Sequence, residues 1–145
     1  MINIRKANQD DIPRIIELYE ELTEERINAS PDTILGVFAE IIAMPNQHFL
    51  VVEKDNFVLG TLFLQIVPNL SHDASPWGNI ENVVIDIRYR GKGFGRILMD
   101  HAFAICREAG CYKVQLMSNV KRKEAHQFYR SMGFENSALG FRLHL

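Results

Sequence analysis

Arg90-Gly91-Lys92-Gly93-Phe94-Gly95-Arg96 is the stretch on which the reading of this chain turns. It joins a β-rich run, Asn79–Ile87, to a segment, Gly93–Ala109, whose Phe94, Ile97, Leu98, Ala102 and Ile105 recur at helical spacing. Three glycines in five positions are costly at a helix start unless the backbone must approach something closely. Successive amides of such a turn point into one concavity, and the helix N-terminus adds about half a unit of positive charge. The natural guest is an anion such as a pyrophosphate, with Arg88, Arg90, Lys92 and Arg96 as nearby cations. A glycine-rich turn with solvated charges is the alternative. Other phosphate motifs fail on spacing. A G-x-G-x-x-G fingerprint from Gly91 needs glycine where Arg96 stands, and a Walker loop needs four residues between its glycines and then Gly-Lys-Ser/Thr.

Working outward, Gly110 sits where a left-handed helix cap belongs. Tyr112, Val114 and Leu116 then alternate as a strand, Lys123–Met132 reads as a last helix capped by Gly133, and Phe141–Leu145 as a closing strand. Upstream, Asn3–Arg5 reads as a first strand. Asp10 or Asp11 then caps a helix with Ile12, Ile15, Ile16, Tyr19 and Leu22 on one face. Ser30-Pro31-Asp32-Thr33 starts a second helix, which Pro45 and Asn46 end. Phe49–Val52 and Phe57–Val67, separated by Lys54-Asp55-Asn56, form an antiparallel hairpin. The segment Pro68–Gly78 is the longest loop and carries His72, Asp73 and Trp77. The sum is a mixed α/β sheet with helices on both faces.

The chain has 145 residues, which suits one domain spanning 1–145. Apolar types at 47% and charged types at 23% allow a core and exclude disorder as the main state. A formal charge of -2 supplies no global attraction for nucleic acid or anionic lipid, so neither is expected as a partner. The apolar run from Phe57 to Pro68 is broken by Gly60, Thr61 and Gln65 and falls short of the about 20 residues a bilayer requires. Charge at Arg5, Lys6, Asp10 and Asp11 precedes any signal-peptide apolar region, so export is not expected. Cys106 and Cys111 lack C-x-x-C spacing and read as free thiols. A cytoplasmic location and no metal are therefore expected.

The strand, Arg90-x-x-Gly93-x-Gly95 and the apolar helix after it resemble the acetyl-CoA binding motif of the GNAT superfamily of acyl-CoA-dependent N-acyltransferases. Asn119, Ala125, Phe128-Tyr129 and Gly133-Phe134 are similar to that family's second block. The resemblance implies a GNAT fold, with a central mixed, mostly antiparallel sheet splayed between its fourth and fifth main strands and helices on both faces. It implies acetyl-CoA as co-substrate, an amine of a small molecule or peptide as acceptor, and a possible pairing of two identical chains. It also implies that Val83, Val84 and Ile85 bond the pantetheine arm and that amides of Gly91, Lys92, Gly93, Phe94, Gly95 and Arg96 hold the pyrophosphate. Arg90 and Asn119 belong to the same binding set. A splayed strand pair has unpaired ladder groups, which a ligand with two amides can satisfy as an added strand does. Gly110-Cys111-Tyr112-Lys113 with Ile80-Glu81-Asn82 is similar to glucosamine-phosphate N-acetyltransferases. Met117, however, stands where that group carries an acid, and a thioether cannot orient an amine as a carboxylate does. The amino-sugar assignment is therefore not adopted.

Acyl transfer to an amine requires a neutral amine, a stabilised oxyanion and a proton for the leaving thiolate. An alkyl amine has a pKa of about 10.4, so a base must act near neutrality. Glu81 is the first choice, because alternation sets Glu81, Val83 and Ile85 on one face of the strand; an edge glutamate in solvent is the other reading. The resemblance makes Tyr129 the general acid, and the amide of Val83 would hold the oxyanion. His72 and Asp73 remain open as loop polarity or as an alternative base. His126 reads as helix polarity and Lys121-Arg122-Lys123 as a solvated face outside the site. The function expected is direct acetyl transfer in a ternary complex. The alternative is a non-catalytic acyl-CoA-binding sensor or subunit.

Overall fold

The β-rich runs on either side of Lys54-Asp55-Asn56 form the middle of the sheet in the computed structural model, which describes residues 1–145. β2 (Gln47–Lys54) and β3 (Phe57–Val67) pair antiparallel. Asp55 and Asn56 take φ values of 51° and 65°, the left-handed backbone of a two-residue hairpin turn. β1 (Ile2–Lys6) pairs antiparallel with β2, β4 (Trp77–Ile85) antiparallel with β3, and β5 (Val114–Leu116) parallel with β4. The order is β1-β2-β3-β4-β5. The mixed, mostly antiparallel sheet expected from the sequence is the one observed.

Alternation along β2 sends side chains to two separate cores. Val51 points to one face, where α1 (Ile12–Thr23) and α2 (Pro31–Ala43) contribute Ile15, Leu18 and Phe38. Leu50 and Val52 point to the other. There they meet Leu98, Met99, Ala102 and Cys106 of α4 (Phe94–Glu108) and Tyr129 of α5 (Lys123–Ser131). Leu18, Val51, Leu62 and Leu98 have no exposed surface.

Local signals place the helices, with some departures from the sequence reading. Ser30 Oγ accepts a hydrogen bond from the Thr33 amide at 3.1 Å and Pro31 opens α2, as expected. Asp11 holds the N-cap position of α1 but makes no side-chain cap bond there, and the cap of the short turn Gln9–Asp11 before it is Asn8. Its Oδ1 accepts from the Asp10 amide at 2.9 Å, and Asp11 Oδ2 accepts from the Asn8 amide at 2.8 Å. Asp11 is instead drawn inward by Arg5, whose Nη1 and Nη2 donate to it at 2.7 and 2.9 Å. The loop after β3 contains a four-residue helical turn, α3 (Ser71–Ala74), in which His72, Asp73 and Ala74 are all left-handed.

Phe141–Leu145 is not a strand here. Residues 135–145 make no backbone hydrogen bond, and the sheet ends at β5. The alternation read in the sequence is present, but a strand forms only against another strand, and within one chain this segment has none.

Candidate active site

β4 carries the feature that shapes the site. Its register against β3 runs Phe63↔Glu81 and then Thr61↔Val84, so Asn82 and Val83 together oppose the single residue Leu62. Asn82 takes φ 53°, and the extra residue bends the strand. The slip is visible in the packing. Ile80 and Val84, four residues apart, belong to opposite cores, while Val83 and Ile85 pack toward the α4 side. Glu81 lies across from Phe63, on the α1 face. The expectation that Glu81, Val83 and Ile85 share a face is thus corrected: the bulge between them breaks the two-residue period.

The same strand loses its neighbour beyond the bulge. Pairing with β5 ends at Ile80↔Leu116, so Glu81–Ile85 run on with no strand on that side. A cavity of about 800 Å³ opens from this free edge. Val83, Val84 and Ile85 form one wall, and the turn from Tyr89 through Arg96, Lys92 excepted, a second. Lys121–Ala125 with Phe128 and Tyr129 form a third.

Asp86 fixes the start of the turn. Its carboxylate accepts from the Arg88 amide at 2.9 Å, from the Arg88 guanidinium at 2.8 and 3.1 Å, and from Arg14 Nη2 at 2.5 Å. These bonds, with Arg88 foremost, hold the buried Asp86 carboxyl far below the usual carboxylate range. Gly91 and Gly93 then take φ 73° and 90° before α4 begins at Phe94. That left-handed backbone is what glycine supplies at low cost, and it leads into α4, whose first residues, Phe94–Arg96, line the cavity. Two residues on from Gly93, a Cβ on Gly95 would lie 3.2 Å from Phe128 Cζ, so the missing side chain lets α5 close against α4.

The cations divide into bound and facing groups. Arg88 is committed to Asp86. Arg90 donates from Nε to the Ile85 carbonyl at 2.8 Å, on the free edge of β4, and from Nη2 to Glu21 at 3.0 Å. Lys92 does not line the cavity, and its Nζ sits 5.6 Å over the Tyr89 ring. Arg96, Lys121, Arg122 and Lys123 do line it, opposed by the single acid Glu124. The basic run is exposed, as a solvated face is, and it also borders the cavity. Its sequence signal was present, but only the fold of α5 against α4 sets it at the cavity rim.

Tyr129 lines the cavity and is buried, and burial pushes its phenol above the usual tyrosine value, partly offset by the charge and hydrogen bond of Arg122. Phe134 packs edge-on against its ring at 5.8 Å. Asn119 lies outside the cavity wall. Its Oδ1 accepts from the Lys121 amide at 2.9 Å, and its carbonyl is 2.8 Å from His126 Nε2, so both residues organise the turn into α5. Glu81 is exposed and also outside the wall, beside Asn79 at 3.5 Å, and with Asn82 it faces the Tyr19 hydroxyl. His72 stacks on Tyr112 at 4.0 Å, among none of these residues. No group of three or more His, Cys, Asp or Glu is placed to hold a metal ion, and no helix is long and apolar enough to cross a membrane.

A free strand edge, a glycine turn at a helix N-terminus and a cationic wall define a site for an acyl carrier with a phosphorylated tail. The model of the Acetyltransferase (GNAT) family matches residues 13–134, and the chain belongs to that family as an acetyl-CoA-dependent acetyltransferase. It is 32% identical over 150 residues to a glucosamine 6-phosphate N-acetyltransferase of Trypanosoma brucei brucei, covering 99% of this chain and 96% of the relative. It is 28% identical to an aminoalkylphosphonate N-acetyltransferase of Salmonella typhimurium, covering 95% and 88%. Among solved structures, a putative acetyltransferase from Agrobacterium tumefaciens superposes with a TM-score of 0.93 at 34% identity, over 99% of both chains.

Proposed function

We propose that this single domain transfers the acetyl group of acetyl-CoA to a primary amine by direct attack in a ternary complex. The observation that carries the reading is the cavity on the free edge of β4, which unites unpaired backbone, the glycine turn and a buried phenol. Backbone groups of Val83, Val84 and Ile85 offer the edge on which the amides of the pantetheine arm bond as an added strand would. Amides from Gly91 to Arg96 receive the diphosphate, and Arg90 stands beside both. Arg96 and the run Lys121–Lys123 supply further positive charge, a donor set that suits phosphates. Asn119 contributes through the turn it holds, and Lys92 by its charge at the mouth.

Chemistry is assigned at the bulge. The carboxylate of Glu81, directly or through a water, takes a proton from the incoming ammonium on the α1 face. The neutral nitrogen bonds to the acetyl carbonyl carbon, and the amide N–H of Val83 holds the oxygen as it becomes negative. As the carbon–sulfur bond breaks, the Tyr129 hydroxyl gives its proton to the thiolate, and the extra proton that the nitrogen sheds as the amide forms passes through water to restore the phenol. The arrangement supports the division of labour, because Glu81 lies on the α1 face while the buried Tyr129 lies on the α4 side, so base and acid stand on opposite faces of the sheet. Each substrate has its own approach.

The acceptor is a small-molecule or peptide amine; amines bearing phosphate or phosphonate come first, since two relatives are named for such substrates. We take a pair of identical chains in the cytoplasm as the working unit, without nucleic-acid or membrane partners. Calorimetry with coenzyme A and a panel of amines assayed by thiol release from acetyl-CoA test the reading. Heat of association with one preferred amine is the expected result. Absence of coenzyme A binding overturns it, and binding with flat rates across the panel replaces it with an acyl-CoA sensor.

A further inference from the structure

The peptide planes of β4 decide which of its polar groups face the cavity. The Asp86 amide donates to the Leu59 carbonyl of β3 at 2.7 Å. A trans peptide points its N–H and C=O in opposite directions, so the Ile85 carbonyl faces away from β3, to the free edge. Alternation turns the Ile85 amide and the Val83 carbonyl to the same edge. It sets the Val84 carbonyl on the β3 side, where a Cβ on Gly60 would lie 2.6 Å from it. The free edge therefore carries two acceptors, the carbonyls of Val83 and Ile85, roughly 6.8 Å apart, with one donor between them.

Two like acceptors on one edge allow an added strand two registers. Here one of them is already taken. Arg90 donates from Nε to the Ile85 carbonyl at 2.8 Å, and its Nη2 donates to Glu21 Oε1 at 3.0 Å. The same Glu21 oxygen accepts from the Ile87 amide at 3.0 Å. Glu21 stands in the last turn of α1, with 31% of its side chain exposed, and lines no part of the cavity. It reaches the site only through Arg90 and the turn after β4. In the sequence it is one of five glutamates between residues 17 and 25, and nothing local sets it apart.

We propose that Arg90, held by Glu21, closes the second acceptor of the β4 edge, so that the pantetheine arm adds in a single register, on the Val83 carbonyl and the Ile85 amide. The inference rests on the coenzyme reading given above. Glu21 is a positioning residue, since it acts through Arg90. With the guanidinium released, an N–H of the arm meets both acceptors. A slipped arm carries its thioester two residues along the strand, away from Tyr129, several times the displacement of about 1 Å that already costs about 100-fold in rate. Idle binding of this kind lowers kcat and KM together and leaves kcat/KM unchanged. Loss of a cation that serves the diphosphate raises KM at constant kcat.

S-acetylpantetheine, which has the arm without the diphosphate, separates these two roles. Glu21→Ala is expected to lower kcat and KM for this donor together, by about 10-fold, and to lower both less for acetyl-CoA, whose diphosphate resists slipping. Adding Glu21→Ala to Arg90→Ala is expected to change nothing further. Glu21→Gln keeps an oxygen for both N–H groups and is expected to restore the kinetics of the unaltered protein. A raised KM for acetyl-CoA with acetylpantetheine unaffected makes Arg90 a diphosphate ligand and overturns the proposal, as do additive effects of the two substitutions. The check that needs no variant is NMR of the arginine side chains in the unaltered protein. The Arg90 Nε proton is expected to stay protected from solvent exchange with coenzyme A bound. Rapid exchange in that complex shows that the guanidinium has left the Ile85 carbonyl and overturns the proposal. Absence of coenzyme A binding in calorimetry is failure of the proposed function; binding with an unprotected Nε proton is failure of this inference alone.

Discussion

Tyr129 combines two properties that an acid for a thiolate requires. Burial raises its pKa, so the phenol keeps its proton across neutral pH, and its position on the cavity wall brings that proton to the site. Tyr129→Phe is expected to lower kcat by about 100-fold, the lower range for a general acid, with coenzyme A affinity from calorimetry unchanged. Because the folded pKa is raised above the ordinary value of 10.0, loss of the acid form as pH rises begins above that value. Glu81→Gln tests the other proton. Its kcat is expected to fall at neutral pH and to recover as pH approaches the amine's own pKa of about 10.4, where no base is needed. A flat deficit at all pH values argues against Glu81 as the base.

At the scale of elements, the turn between β4 and α4 was the most legible part of the chain. Glycine at Gly91 and Gly93 reports a backbone requirement directly, and the structure gives both left-handed φ. Gly93→Ala is expected to cost about 1–2 kcal/mol in urea denaturation and to weaken coenzyme A binding, since strain at the helix start moves the amides. Helices were legible because caps and periodicity are local signals, as Ser30 and Pro31 illustrate. The bulge was not. Asn82 resembles any other polar strand residue until β3 is laid beside it, and the face assignment of Glu81 failed for that reason. The basic run Lys121–Lys123 is exposed as the sequence suggested, but its place at the cavity rim was not legible, because it depends on the packing of α5, which contacts far along the chain decide. The closing strand was read correctly as a pattern and wrongly as an element, because pairing is a property of neighbours.

For the molecule as a whole, Asp86 ties the site to the fold. It joins α1, through Arg14, to the turn that follows β4, through Arg88. Its folded pKa lies below the ordinary 3.8, so its stabilisation is complete above that value and is lost as pH falls toward the folded one. Asp86→Asn leaves Arg14 facing a neutral partner in a mostly buried position. The expected cost at pH 7 is about 3 kcal/mol. The difference from the unaltered protein should shrink as denaturation is repeated at pH values falling below 3.8, where the unfolded carboxylate takes up a proton that the folded one resists.

The pleat of β4 on either side of Asn82 is in phase once that one residue is skipped: Ile80 and Val83 point one way, Glu81 and Val84 the other. Removing a single codon there would therefore straighten the strand while returning each remaining side chain to the layer it already occupies. Such a shortened protein is expected to melt cooperatively with an intact interior, yet to lose retention on a coenzyme A resin. Curvature and packing, normally inseparable in a strand, can here be edited independently.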